Sequence, residues 1–266
     1  MSEKLILLKD WFKNHEGTVT AFSGGVDSSL VLYVSKLVLE ENAIGLISNS
    51  ESLKLKDFEI ATSFCKKHHI TLEVIKTDEL NDPNYTSNPS NRCFFCKNHL
   101  YEAMIDIIQE KYSNYTILNG TNLDDLGDYR PGLQAANIHN IKSPLVELKI
   151  TKKEVIEMAN ELGLETANKP PSPCLSSRIP YGTVVNSERL KQIENAEYLL
   201  NDFGFNQVRV RNNGDEASIE VPISEMEKLV ENFEHISIGI RNLGFKKIRI
   251  DKEGFVSGKL NRVLNV

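Results

Sequence analysis

A chain of 266 residues, 40% apolar and 26% charged, can bury a core, which excludes a disordered chain and allows one large domain or one large and one small. A net charge of −6 argues against a protein that grips long nucleic acid, and no apolar run reaches bilayer-spanning length, so no membrane partner is expected. Four cysteines are too few for a disulfide scaffold, and the first seventeen residues lack the apolar region and cleavage site of a signal peptide, so a cytoplasmic location is expected.

Residues 18–22 (TVTAF) read as a short strand that ends at two glycines. Residues 27–40 follow as a helix, with Leu30, Val34, Leu37 and Val38 on one face at spacings of three and four. The continuous apolar run 43–48 (AIGLIS) has the pattern of a strand buried on both sides. Residues 53–69 read as a helix and 71–77 as a third strand. A loop carrying cysteines then leads to a helix at about 97–111 and a strand at 115–120. Residues 151–163 form a helix, with Thr151 and Glu154 spaced as a capping box and Gly163 near its end. Strands alternating with helices predict an α/β fold, a doubly wound and mainly parallel sheet.

The stretch 168–183, NKPPSPCLSSRIPYGT, has four prolines and no period, so it reads as a long irregular segment, with a domain boundary shortly after it. The division expected is 1–183 for the large domain and 184–266 for a small α+β domain. Within the latter, 201–211 and 241–251 align at a shift of 40, each reading as a helix end, a glycine turn and a strand.

The segment Ser23-Gly24-Gly25-Val26-Asp27-Ser28-Ser29 joins a strand to a helix, so backbone N–H groups and the helix dipole face whatever lies above the helix start. Glycines permit close approach of an anion, the three serines can donate hydroxyl hydrogens, and Asp27 can hold a Mg²⁺ that itself binds phosphate. No lysine follows in the positions of the GxxxxGK(S/T) loop. Read blandly, the segment is a tight turn with an Asp/Ser cap.

This loop resembles the pyrophosphate-binding loop of the N-type ATP pyrophosphatases, which adenylate an oxygen of their substrate, release pyrophosphate and let a nucleophile displace AMP. Two later stretches narrow the resemblance. Residues 120–132 offer Asp124, Asp125, Asp128 and Arg130 after a strand end, and 169–183 hold Cys174 and Arg178. Together and in this order they resemble the LarE-type ATP-dependent sulfur transferases, which turn pyridinium carboxylates into thiocarboxylates for a nickel-pincer nucleotide. The resemblance implies an ATP site of Ser23, Gly24, Gly25, Asp27, Ser28, Ser29, Ser48, Gly120, Thr121 and Asp125, with Asp27 and Cys174 catalytic. It implies Arg130 and Arg178 as substrate contacts, together with Arg209 and Arg211, which share one strand face and match the family's phosphate-holding arginine pair. Read from the residues alone, those two sit by default on a solvated face, and two guanidinium groups on one face could also chelate a phosphate.

Better-known family members carry a lone cysteine at the position of Cys174; this chain adds Cys93 and Cys96 as a C-x-x-C. By spacing alone the pair suits a redox couple, half a zinc site or part of an iron–sulfur cluster, and with His99 and Cys174 it could complete a Cys₃His zinc site. The family's three-cysteine branch implies a 4Fe–4S cluster on Cys93, Cys96 and Cys174. Cys65 lies on the apolar side of its helix and reads as a buried small hydrophobe. The expectation is therefore an ATP- and Mg²⁺-dependent sulfur transferase acting on a small nucleotide, fed by sulfide or another sulfur donor and forming a homo-oligomer. The rival readings are a tRNA thiolase, which the acidic balance opposes, an amidating synthetase, which leaves the cysteines idle, and a nucleotide-sensing or metal-storage protein without turnover.

Overall fold

The computed structural model of the chain describes residues 2–256 and 258–264. In chain order the elements begin α1 (Glu3–Phe12), β1 (Thr18–Ala21), α2 (Val26–Leu39), β2 (Ala43–Ser48), α3 (Leu55–Lys67) and β3 (Thr71–Ile75). They continue with α4 (Pro83–Thr86), α5 (Arg92–Lys111), β4 (Thr116–Leu118), α6 (Gly132–Ile138), α7 (Pro144–Glu147) and α8 (Lys152–Glu161). The last are α9 (Ser187–Asp202), β5 (Arg209–Asn213), β6 (Glu216–Glu220), α10 (Met226–Glu231), α11 (Phe233–Asn242) and β7 (Lys247–Ile250). No helix among the described residues is long and apolar enough to cross a membrane.

The chain forms two compact units, Met1–Glu79 with Cys93–Ser172, and Leu80–Arg92 with Pro173–Val266. The division thus falls at Ser172–Pro173 instead of 183/184, and the second unit also takes in Leu80–Arg92. Hydrogen bonds explain both differences. Buried Asn88 donates from Nδ2 to the carbonyls of Ile179 (3.3 Å), Pro180 (2.7 Å) and Thr183 (2.9 Å), and Tyr85 Oη lies 2.6 Å from Ser176 Oγ. The proline-rich stretch after 173 therefore takes its order from a segment ninety residues upstream, a pairing that local sequence pattern does not reveal.

The first unit is a parallel four-stranded sheet in the order β3-β2-β1-β4. Val19 and Ala21 of β1 and Ile44 and Leu46 of β2 meet Tyr101, Met104 and Ile108 of α5 in one apolar layer. The other layer joins Ile47 to Leu5, Leu8, Leu30, Phe64, Val155 and Met158 from α1, α2, α3 and α8. Helices thus cover both faces, which is why AIGLIS carries no polar alternation. α2 is nearly enclosed: Val31 and Leu32 are buried as well as Leu30 and Val34, whereas Leu37 near its end is exposed. The capping box that starts α8 is present, with Thr151 N–H donating to Glu154 Oε2 (2.8 Å) and Glu154 N–H to Thr151 Oγ1 (3.3 Å).

α5 begins five residues earlier than the expected 97, so Cys93 and Cys96 lie in its first turn and not in a loop. Phe94 packs on the same layer as Tyr101 and Ile108, which extends the apolar face by two turns at heptad spacing.

In the second unit β6 lies between β5, its antiparallel neighbour, and β7, its parallel neighbour. The weak internal repeat has a structural basis. α9 ends at Gly204 (φ 80°) and α11 at Gly244 (φ 101°), and each glycine is followed by a buried phenylalanine, Phe205 or Phe245, that enters one common core. Both turns need the left-handed conformation that glycine adopts without strain.

Candidate active site

The chain runs from β1 outward to β2 and β3, then returns to place β4 on the other side of β1. The strand order reverses between β1 and β4, and ligands of open α/β sheets bind above such a point, at the strands' carboxyl ends. Both segments that leave those ends are motifs singled out from the sequence.

After β1, Gly24 has φ 68°, and a Cβ there would meet Ala61 Cβ at 3.3 Å and the Asp57 carbonyl at 3.4 Å. Ser28 Oγ donates to the Gly25 carbonyl (3.1 Å) and accepts from Ser23 N–H (3.3 Å), folding the loop back on the first turn of α2. The amides of Val26, Asp27 and Ser28 precede the first helical hydrogen bond, Ser29 N–H to Gly25 carbonyl (2.9 Å), so they face outward from the helix start. Ser29 is fully buried within the first turn of α2. After β4, a Cβ on Gly120 would stand 2.6 Å from Ser28 N and 2.9 Å from Ser28 Cα, so only glycine lets the two segments touch. Thr121 N–H donates to Asn119 Oδ1 (3.0 Å) at the same strand end, and Ser48 Oγ, at the end of β2, lies 2.6 Å from Thr77 Oγ1.

Asp27 is the electrostatic centre. Its Oδ2 is 2.6 Å from Lys152 Nζ, at the start of α8, and its Oδ1 accepts from Asn122 Nδ2 (3.0 Å). Asn122 also caps the 3-10 turn Leu123–Gly127 in a capping box with Asp125. Asp124 Oδ2 accepts the Lys152 amide (2.8 Å), and Asp125 pairs with Arg130 (2.7 Å). Burial pushes the Asp125 carboxyl above its ordinary value, against the Asn122 amide and the Arg130 charge, which pull it down. Lys169 Nζ donates to the Gly24 carbonyl (3.0 Å) and pairs with Asp57 Oδ1 (3.0 Å), whose Oδ2 accepts from Ser172 Oγ (2.6 Å). Asn122, Lys152, Asp57 and Lys169 were not expected from the sequence. The one available signal was the loop's lack of any cation for a phosphate ligand, which required lysines from elsewhere.

The second unit holds the arginines. Arg178, 1% exposed, forks onto Glu197 (Nε–Oε1 2.9 Å, Nη2–Oε2 3.3 Å) and donates from Nη1 to the carbonyls of Pro173 (2.6 Å) and Cys174 (3.1 Å). Arg211 forks onto Glu220 (2.8 and 3.0 Å) and donates to the Ser177 carbonyl (2.9 Å). Neither guanidinium stands on a solvated face; both are engaged by carboxylates. Arg209, also buried, lies with its guanidinium carbon 4.4 Å from the Phe255 ring centroid. Burial first, then the charges of Arg178 and Arg211, lower it to about 10, so it remains a cation at neutral pH.

Cys93 is exposed and Cys96 half-buried, and three-residue spacing puts both thiols on one side of α5 in the first unit. Cys174, half-buried, precedes the 3-10 turn Leu175–Arg178 in the second unit. Within that unit Arg92, the residue before Cys93, donates to the carbonyl of Ser176, two residues beyond Cys174 (3.0 Å). Among the described residues no three His, Cys, Asp or Glu side chains are gathered so as to hold a metal ion. Cys65 is buried as expected, and burial pushes its thiol up to about 12.

A strand–glycine loop–helix unit at the switch point of a parallel sheet, with amides and a lysine-held aspartate at its mouth, has the form of a phosphate-binding site of the pyrophosphate-loop class. The model of the NAD synthase family matches residues 7–91, which contain that loop. An uncharacterized protein of Synechocystis is 41% identical over 269 residues, covering 99% of this chain and 99% of its own length. The pyridinium-3,5-bisthiocarboxylic acid mononucleotide synthase of Lactiplantibacillus plantarum is 33% identical over 253 residues, 95% of this chain and 91% of that protein. An uncharacterized protein of Methanocaldococcus jannaschii is also 33% identical, over 92% of this chain and 93% of its own length. The chain belongs to the LarE-type family of ATP-dependent pyrophosphate-loop sulfur transferases.

Proposed function

We propose that the chain adenylates a carboxylate of a pyridinium carboxylate mononucleotide and replaces an oxygen with sulfur, giving a thiocarboxylate for nickel-pincer cofactor synthesis. The observation that carries this reading is the end-to-end similarity to the Lactiplantibacillus synthase, whose name states that product class. ATP enters with Mg²⁺ as substrate. A carboxylate oxygen bonds to the α-phosphorus, the bond from that phosphorus to the α–β bridging oxygen breaks, and pyrophosphate leaves. A sulfur nucleophile then bonds to the activated carbonyl carbon, and the carbon–oxygen bond to AMP breaks. The amides of Val26, Asp27 and Ser28 receive the outgoing diphosphate, and Asp27 is the carboxylate offered to Mg²⁺. Arg209 is the group assigned to the substrate's phosphate, since Arg178 and Arg211 are already held by Glu197 and Glu220. Arg130 is assigned to the substrate's other anionic groups. A homo-oligomer is part of the same proposal.

For sulfur delivery we propose Cys93, Cys96 and Cys174 as ligands of a 4Fe–4S cluster. Three thiols suit that group chemically, the C-x-x-C in one helical turn supplies two of them, and bound there the cluster would supply iron-held sulfide as the nucleophile.

The test uses the anaerobically purified full chain with ATP, Mg²⁺, sulfide and a pyridinium carboxylate mononucleotide. Pyrophosphate and AMP should appear only with the carboxylate, and mass spectrometry should find a thiocarboxylate. Turnover that instead requires tRNA, or that survives replacement of all three cysteines by serine with ammonia as nucleophile, would overturn the reading. About 4 iron and 4 sulfide per chain are expected. A colourless, zinc-rich protein would remove the cluster and leave the ATP chemistry standing.

A further inference from the structure

The segments that leave β2 and β3 carry a polar cluster that the proposed reaction does not use. The two strands are parallel neighbours, so their carboxyl ends lie side by side. Asn49 N–H donates to the Ile75 carbonyl (2.8 Å) and Ser48 Oγ is 2.6 Å from Thr77 Oγ1, which zips the two segments together. Beyond them Ser50 Oγ lies 3.0 Å from Ser52 Oγ, and Ser52 Oγ donates to Glu79 Oε1 (3.3 Å). Glu79, which opens the 3-10 turn after β3, is 2% exposed and Ser52 is 3% exposed.

Among the described residues four carboxylates are buried: Asp57, Glu79, Glu197 and Glu220. Asp57 is paired with Lys169, Glu197 with Arg178 and Glu220 with Arg211. Glu79 is the exception. No lysine, arginine or histidine pairs with it among the described residues, and its buried Oε2 has no hydrogen-bond partner there. One hydroxyl hydrogen from Ser52 is weak compensation for a charge removed from water.

We propose that Glu79, with the hydroxyl oxygens of Ser50 and Ser52, binds a monovalent cation, K⁺ or Na⁺, which ties the loop after β2 to the turn after β3. All three groups offer oxygen, the ligand of hard cations, and no sulfur or imidazole that would select a transition metal. Their summed charge is that of one carboxylate, which a single positive charge balances. Divalent ions draw on more carboxylates or keep much of their water. The cluster shares no residue with the glycine loop, and the inference does not rest on the proposed reaction.

The test is thermal unfolding of the full chain in potassium, sodium and choline chloride at equal pH and ionic strength. The wild-type midpoint should lie about 3 °C or more higher in about 0.1 M K⁺ or Na⁺ than in choline, and should rise with cation concentration as linkage requires. The salt with the larger shift identifies the ion. Glu79→Gln keeps the shape and removes the charge, so its midpoint should be the same in all three salts. Ser52→Ala should lose at least half of the wild-type shift, and it serves where Glu79→Gln does not fold. A wild-type midpoint indifferent to the salt would overturn the proposal; a water or a proton held at Oε2 gives that result. A full shift that persists in either variant would place the ion elsewhere and overturn it as well.

Discussion

The two units use the same ion-pair chemistry to opposite ends. In the first, Lys152 and Asp27 meet 2.6 Å apart with side chains 39% and 23% exposed, at the mouth of a loop. In the second, Arg178–Glu197 and Arg211–Glu220 are buried, forked and further tied to backbone groups. Exposure decides what such a pair can do. A half-solvated pair gains little by forming and can exchange partners with a ligand. A buried pair is expensive to break, because the survivor is left charged in a low-dielectric surround. The first pair is therefore suited to binding and the second to holding a backbone in place, here the turn after Cys174 and the start of β5.

The largest expected effect separates these two cases. Glu197 accepts from Arg178 through both oxygens and from the Val210 amide at 3.1 Å. Glu197→Ala should destabilise the protein by about 3–5 kcal/mol in urea unfolding. Asp27→Asn, which removes a carboxylate from the exposed pair, should cost under about 1 kcal/mol while abolishing carboxylate-dependent pyrophosphate release. Similar stability losses for the two variants would erase the distinction between a binding pair and a structural one.

A smaller effect is expected where the two segments of the switch point touch. Gly120→Ala puts a methyl group 2.6 Å from Ser28 N, a backbone atom that cannot rotate away. The strain should cost about 1–3 kcal/mol. Because it pushes on the amides that face the phosphates, ATP affinity should fall by more than the stability loss alone explains. Calorimetric titration beside thermal unfolding separates the two. Wild-type ATP affinity in a destabilised Gly120→Ala protein would mean that the helix start is not where the nucleotide sits.

What the sequence made legible follows the range of the interactions involved. The glycine loop, the parallel strands and the Thr151–Glu154 capping box depend on neighbours within a few residues, and each is present where its pattern lies. The Cys93–Lys97 turn was read as a loop because its polar residues mask a period that becomes visible only when Phe94 is aligned with Tyr101 and Ile108. The arginine strand had a solvated face as its default reading because period-two alternation fixes a shared face but not what covers it; Glu220, across the hairpin on β6, holds Arg211, and Phe255 lies against Arg209. Lys152 next to Asp27, and Asn88 next to Thr183, join residues 125 and 95 apart, and no local pattern carries that information.

The smallest effect is expected at Cys65, and it sharpens the comparison among the cysteines. Cys93, Cys96 and Cys174 are exposed or half-buried, whereas Cys65 sits in the apolar layer beside Ala61 and Phe64. Its thiol, pushed up to about 12 by burial, is protonated throughout the neutral range and offers neither a nucleophile nor a metal ligand. Replacing it with alanine removes a small apolar contact and no charge. Cys65→Ala should therefore cost about 1 kcal/mol of stability and leave the sulfur-transfer rate and the iron content at wild-type levels. The same assay on Cys93→Ser, Cys96→Ser and Cys174→Ser should lose transfer each time. A Cys65→Ala protein that unfolds normally yet transfers sulfur an order of magnitude more slowly would show that burial does not sort the working thiols from the packing one.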